Sequence, residues 1–180
     1  MRGWVIVPAL ALGLAACGSE PEQPENSMTE EEVAAEISEL PKPLPGLYRN
    51  TTTLVDMTVP GATEADLVRI REEAKIQEGD KERCLTAEEA EKGYQDIVSG
   101  LAEAQRGMSC NFSKFAAEGS QLDAALACDA GFGTSANIAI AGTVAEESSD
   151  MTMDMKLGIP VVGDMSMKLN IKSERLGDCP

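Results

Sequence analysis

The chain contains no histidine. That absence removes the commonest general base, the usual zinc and copper ligand, and the middle member of Ser-His-Asp or Cys-His catalysis. Aromatic residues make up 3% of the chain, and the one tryptophan, Trp4, stands at the extreme N-terminus. Beyond it only Tyr48, Tyr94, Phe112, Phe115 and Phe132 remain, so recognition of sugars or bases by stacking is poorly supplied. Cations are scarce as well: 15 Lys and Arg stand against 31 Asp and Glu, a net charge of −16. A chain so acidic repels nucleic acid and anionic membrane surfaces, and no nucleic-acid partner is expected. There is no Cys-x-x-Cys pair and no Asp-x-Asp-x-Asp-Gly loop, which leaves redox, zinc-knuckle and EF-hand chemistry without their motifs. These absences predict a protein that is not an enzyme and holds no metal or cofactor.

Long apolar runs are also missing. The stretch from Trp4 to Leu14 is 11 residues, too few to span roughly 30 Å of hydrocarbon. It follows the cation Arg2 and precedes small residues, the layout of a secretory signal. Leu14-Ala15-Ala16-Cys17 is a lipobox, in which the cysteine is acylated and becomes the new N-terminus. Residues 1–16 are read as a lipoprotein signal peptide and Cys17 as the lipidation site. Loss of Arg2 leaves 14 cations against 31 acidic residues, or −17, so lipid rather than charge holds the chain at the membrane. Each buried CH₂ contributes roughly 0.8 kcal/mol, which makes a multiply acylated anchor stable. Gly18 and Ser19 supply no aspartate retention signal, and the expected location is the periplasmic face of the outer membrane.

Residues 17–45 carry eight glutamates and five prolines and are read as the lipidated cysteine and an acidic tether. Inside it Thr29 and Glu32 form a capping box ahead of Val33, Ile37 and Leu40, a short amphipathic helix that either docks or frays. A single domain is expected over 46–180. Leu47 to Val59 reads as a strand that ends at Pro60-Gly61. Two helices are expected next, the first capped by Thr63 with Leu67 and Ile70 on one face. The second follows the capping box Thr86–Glu89 and carries Ala90, Tyr94, Ile97 and Leu101.

From Met108 onward the apolar period becomes two. If Cys110 faces Cys128 across a hairpin, Phe112 faces Leu126 and Ala116 faces Leu122 around a loop centred on Gly119. Further on, Ile138, Ile140, Gly142 and Val144 share a face with Met151, Met153, Met155 and Leu157, with Gly142 opposite Met153. The last strand adds Met165, Met167, Leu169 and Ile171 to that face, while its other side places Asp154 across from Lys168. The expected class is α+β: an antiparallel meander of about six strands, open or curled toward a partial barrel, with two helices after the first strand.

Beyond Cys17 four cysteines remain, Cys84, Cys110, Cys128 and Cys179, an even number that reads as two disulfides with three formal connectivities. The shared strand face selects Cys110 with Cys128, and elimination then pairs Cys84 with Cys179.

The chain resembles the domain-of-unknown-function 3617 family of exported Gram-negative proteins. The resemblance rests on Pro45-Gly46-Leu47-Tyr48, on Cys84-Leu85-Thr86, and on Cys110 and Cys128 bracketing a hairpin. It also rests on Met151-Thr152-Met153 and on the closing Arg175-Leu176-Gly177-Asp178-Cys179. Where members commonly have a short Met-Pro-Gly-rich loop, this chain inserts a charged helical stretch at 62–81. The resemblance implies an exported, two-disulfide domain and transfers no activity.

Met151, Met153, Met155, Met165 and Met167 invite two functional readings, a copper(I) site or an adaptable lining for an apolar ligand, beside plain core packing. Core packing is favoured. A cavity above about 300 Å³ on that face is what the ligand reading requires. Glu88, Glu89, Glu91 and Asp96 are read as a solvated helix face. Gly131-Phe132-Gly133-Thr134 is read as a turn, and Arg175 to Cys179 as a lock on the last strand. The reading favoured is a non-catalytic, lipid-anchored envelope protein acting as a binding or scaffolding module. Its partners are the membrane through the N-terminal lipid and an unidentified protein or apolar small molecule. The alternative is a carrier or sensor of an apolar molecule on the methionine face.

Overall fold

The computed structural model describes residues 27–73, 78–95, 109–160 and 163–180. Seven antiparallel strands form an open sheet: β1 (Gly46–Thr58), β2 (Gly79–Leu85), β3 (Ser109–Glu118), β4 (Gln121–Gly131), β5 (Thr134–Val144), β6 (Ser148–Ile159) and β7 (Gly163–Gly177). The strand order is β2-β1-β7-β6-β5-β4-β3. The last five strands are therefore a plain meander, and the β1–β2 hairpin is added beside β7. The described helices are α1 (Glu30–Ser38), α2 (Glu64–Glu73) and α3 (Ala87–Lys92). The sheet does not close into a barrel.

The capping boxes form as the sequence predicts. The amide of Glu32 donates to Thr29 Oγ1 at 3.2 Å and the Glu32 carboxylate returns to the Thr29 amide at 2.8 Å. Thr86 and Glu89 repeat the arrangement at α3, satisfying amides that a helix start otherwise leaves orphaned. Between α2 and α3, where the sequence offers only charge, the chain forms β2. This strand pairs along β1, with an Arg49–Glu82 ion pair at 3.1 Å and a Thr51–Asp80 hydrogen bond at 2.6 Å across the ladder. Both expected helices thus form, as α2 and α3, with the unexpected strand β2 between them.

One face of the sheet is core. Rows across it read Leu54–Leu169–Met153–Ile140–Ala124 and Met57–Met167–Met155–Ile138–Leu126. The opposite face is wet, and Asp154 pairs with Lys168 at 3.3 Å as the register predicts. Gly142 faces Met151, and Ile140 faces Met153, two residues along β6 from the expected pairing and so still on the same face. The reason for glycine is backbone: a Cβ at Gly142 would strike the Asp150 carbonyl and the Met151 Cα, so β5 and β6 approach too closely there for any side chain.

The β3–β4 hairpin also corrects the expected register. Cys110 faces Cys128 and Phe112 faces Leu126, but a bulge between Phe112 and Lys114 moves Ala117, not Ala116, opposite Leu122. The loop is the tight pair Gly119–Ser120 between Glu118 and Gln121, with Gly119 at φ 59°. The bulge turns Phe115 into the core, edge-on to Phe112 with ring centroids 5.6 Å apart. Burying a phenylalanine gains roughly 1.5–3 kcal/mol, more than one ladder position contributes.

The acidic segment ahead of Gly46 is part of this core. Val33 (1% exposed) and Ile37 (5%) on α1, with Leu40, pack on Phe115, Leu122, Ala124 and Val144. The same segment covers the outer edge of β3: the Met28 amide donates to the Phe112 carbonyl at 2.8 Å and the Glu36 carboxylate accepts from the Ala117 amide at 3.0 Å. The other edge, β2, is protected by exposed Asp80, Lys81, Glu82 and Arg83.

Candidate functional site

At one end of the core face the apolar rows stop. The row beyond Thr52–Ile171–Met151 is Asn50 on β1, Ser173 on β7 and Ser149 on β6, adjacent across three strands and pointing to the side that is otherwise core. Polar groups on a covered face cost free energy unless they are hydrogen-bonded or wet. Here they are wet. They line an open pocket of about 160 Å³ together with Ser148 at the start of β6, Arg83 and Leu85 from β2, Pro43, and Tyr94 just after α3. Both tyrosines of the chain meet at this pocket, since Tyr48 forms part of its wall.

The wall is built by a lock of long-range contacts. The Tyr48 hydroxyl is shared between the carbonyls of Leu44 (2.7 Å) and Glu146 (3.0 Å). Arg175 Nε donates to the Pro45 carbonyl at 3.0 Å, and its guanidinium pairs with Asp178 at 2.7 Å and Glu147 at 3.7 Å. Gly46 is glycine for two reasons: its φ is 152°, and a Cβ there would strike the Gly177 carbonyl and the Arg175 guanidinium. The Cys84–Cys179 disulfide ties β2 to the end of the chain. Arg175 to Cys179 therefore acts as the lock its sequence suggests.

Electrostatics at the pocket are nearly neutral. Arg83 is ion-paired with Glu89. Burial raises the Tyr94 phenol above its ordinary value, helped by Tyr48 beside it. Burial likewise raises Tyr48, against the opposing field of Arg175. Both phenols are protonated at neutral pH, and since the Tyr48 O–H is donated to the Leu44 and Glu146 carbonyls, Tyr94 is the phenol left to the pocket.

The other residues singled out in the sequence are distributed as follows. Cys110–Cys128 and Cys84–Cys179 are the two disulfides. Met151, Met153, Met155, Met165 and Met167 share the core face and are half-buried. Met151 lines an apolar void of about 30 Å³ with Ile37, Leu40, Tyr94, Phe112 and Phe115, so α1 fills that end of the face. The volume is far below the roughly 300 Å³ of small-ligand pockets. Among the described residues no three His, Cys, Asp or Glu side chains gather to hold a metal. Glu88 and Glu91 are exposed and pair with Lys92 and Lys42. Gly131 to Thr134 is the β4–β5 turn, with Phe132 at φ 52° on its exposed tip. Cys17, Asp96, Ile97 and Leu101 lie outside the described residues.

Sequence reasoning missed the polar row. Its signal is a break in alternation: the series Ser149, Met151, Met153, Met155 begins with a serine, and Leu169, Ile171, Ser173 ends with one.

No curated protein and no solved structure matches the chain. Residues 43–179, which span β1 to β7 and both disulfides, match the family described as "Protein of unknown function (DUF3617)", and the chain belongs to that family.

Proposed function

We propose that the chain is a lipid-anchored cell-envelope protein, held through Cys17 on the periplasmic face of the outer membrane, whose domain is a non-catalytic binding or scaffolding module. The observation that carries this reading is the cysteine count. Four of the five cysteines close two disulfides, as suits an oxidising compartment. The fifth is Cys17 in Leu14-Ala15-Ala16-Cys17, left free for acylation. An apolar carrier on the methionine face has less support, because Ile37 and Leu40 occupy the space beside Met151.

The test is metabolic labelling with a fatty-acid analogue. The wild-type chain takes up label and sediments with outer-membrane fractions; Cys17→Ser loses the label and appears in the soluble periplasm. A labelled or membrane-retained Cys17→Ser chain overturns the anchor.

A further inference from the structure

We infer that the pocket framed by β1, β7, the β5–β6 turn and the end of α3 binds a small neutral polyhydroxylated molecule of monosaccharide size. The inference rests on the domain being a binding module and names the ligand class for it. Size comes first. At about 160 Å³ the open pocket has about half the roughly 300 Å³ at which pockets enclose drug-sized ligands, so it seats one hexose ring with part of that ring left in solvent, and nothing larger.

The polar groups then select the ring. Asn50 offers an amide with donors and an acceptor, while Ser149, Ser173 and Tyr94 offer hydroxyls that both donate and accept. None of these side chains makes a hydrogen bond to another described residue, and the natural complement is a ligand whose own groups do both, namely hydroxyls. Leu85, Pro43 and the Tyr94 ring supply the apolar surface that the C–H faces of a sugar require.

Charge excludes the alternatives. Arg83, the cation on the wall, is neutralised by Glu89, and Arg175 behind Tyr48 by Asp178 and Glu147. An anion would also enter the field of a chain of net charge −16. A cation finds no Asp or Glu among the described residues that line the pocket.

Tyrosine emission reads the site directly, because Trp4 leaves with the signal segment and both tyrosines border the pocket. The full chain is purified in a detergent without a sugar headgroup. It is titrated with glucose and N-acetylglucosamine, and with sulfate and choline as charged probes. The expected result is a saturable change with a neutral sugar in the millimolar range, as befits about a dozen non-hydrogen atoms. Asn50→Ala and Ser173→Ala each weaken it about two- to tenfold while urea unfolding stays at the wild-type midpoint. Should either variant misfold, Ser149→Leu, which fills the pocket, abolishes the response. No saturable response to either sugar, or tighter binding of sulfate or choline, overturns the assignment. The titration is indifferent to Cys17: a chain released by Cys17→Ser that ignores both sugars sinks the pocket alone, and one that binds sugar yet stays on the membrane sinks the anchor alone.

Discussion

Tyr48 and Arg175 face each other across the β1–β7 ladder, and each holds a carbonyl of the chain entering β1: Tyr48 that of Leu44 at 2.7 Å, Arg175 that of Pro45 at 3.0 Å. Tyr48 is 6% exposed, so its hydroxyl is a hydrogen bond rather than a surface group. Tyr48→Phe keeps the ring and removes the bond. Its expected cost is about 1 kcal/mol, read as a lower urea midpoint with unchanged slope; an unchanged midpoint would show that the two carbonyls are satisfied without it.

The docked helix gives a larger effect. Ile37→Ala leaves a void against Phe115 and Leu122 and should cost about 2–4 kcal/mol. Removal of residues 18–27 leaves stability unchanged, whereas removal of 28–40 uncovers β3 and lowers the thermal midpoint. Equal stability for both deletions contradicts the docking.

Disulfide loss should be unequal. The sequence separations are 95 for Cys84–Cys179 and 18 for Cys110–Cys128, and chain-entropy reasoning gives about 4–5 and about 3 kcal/mol respectively. The Cys84→Ala/Cys179→Ala pair also frees the corner that carries Arg175. Calorimetry of the two double variants should rank it the less stable. The opposite ranking would place the main constraint in the β3–β4 hairpin.

Acid should weaken the wet face. The Asp150 carboxyl is held below its ordinary 3.8, first by the hydrogen bond from Asn170 and then by the one from Lys172 and its charge. A depressed folded pKa contributes stability above 3.8 that is lost as pH falls through the lower folded value. Asp150→Asn is therefore expected to melt below wild type at pH 7, with the gap closing in acid. A gap independent of pH would assign the effect to shape, not charge.

How much of this was legible depended on whether burial writes a pattern. β5, β6 and β7 bury one face and bare the other, so alternation gave the faces of all three and the β6–β7 register down to Asp154–Lys168, while the β5–β6 register is set by the close backbone approach at Gly142. β2 is exposed almost throughout, and Asp80-Lys81-Glu82-Arg83 carries no apolar period to read. The β3 bulge is decided by where Phe115 finds a core, a tertiary preference that pairing arithmetic does not contain. Composition hid the docking of α1, not the helix: its capping box and apolar spacing are legible, but the glutamates and prolines around Val33 and Ile37 look like a tether rather than a part of the core. The polar row Asn50–Ser173–Ser149 looks from sequence like strand ends, and only Tyr94, just after α3, and Pro43 beside it make a pocket.

The lipid anchor stands or falls on the state of Cys17. Mass spectrometry of the N-terminal peptide, from chain extracted from membranes, measures it directly. The expected peptide begins at Cys17, carries acyl chains, and lacks residues 1–16. A peptide that still contains Trp4, or one with unmodified Cys17, contradicts the lipid anchor and with it the placement of this domain at the membrane surface.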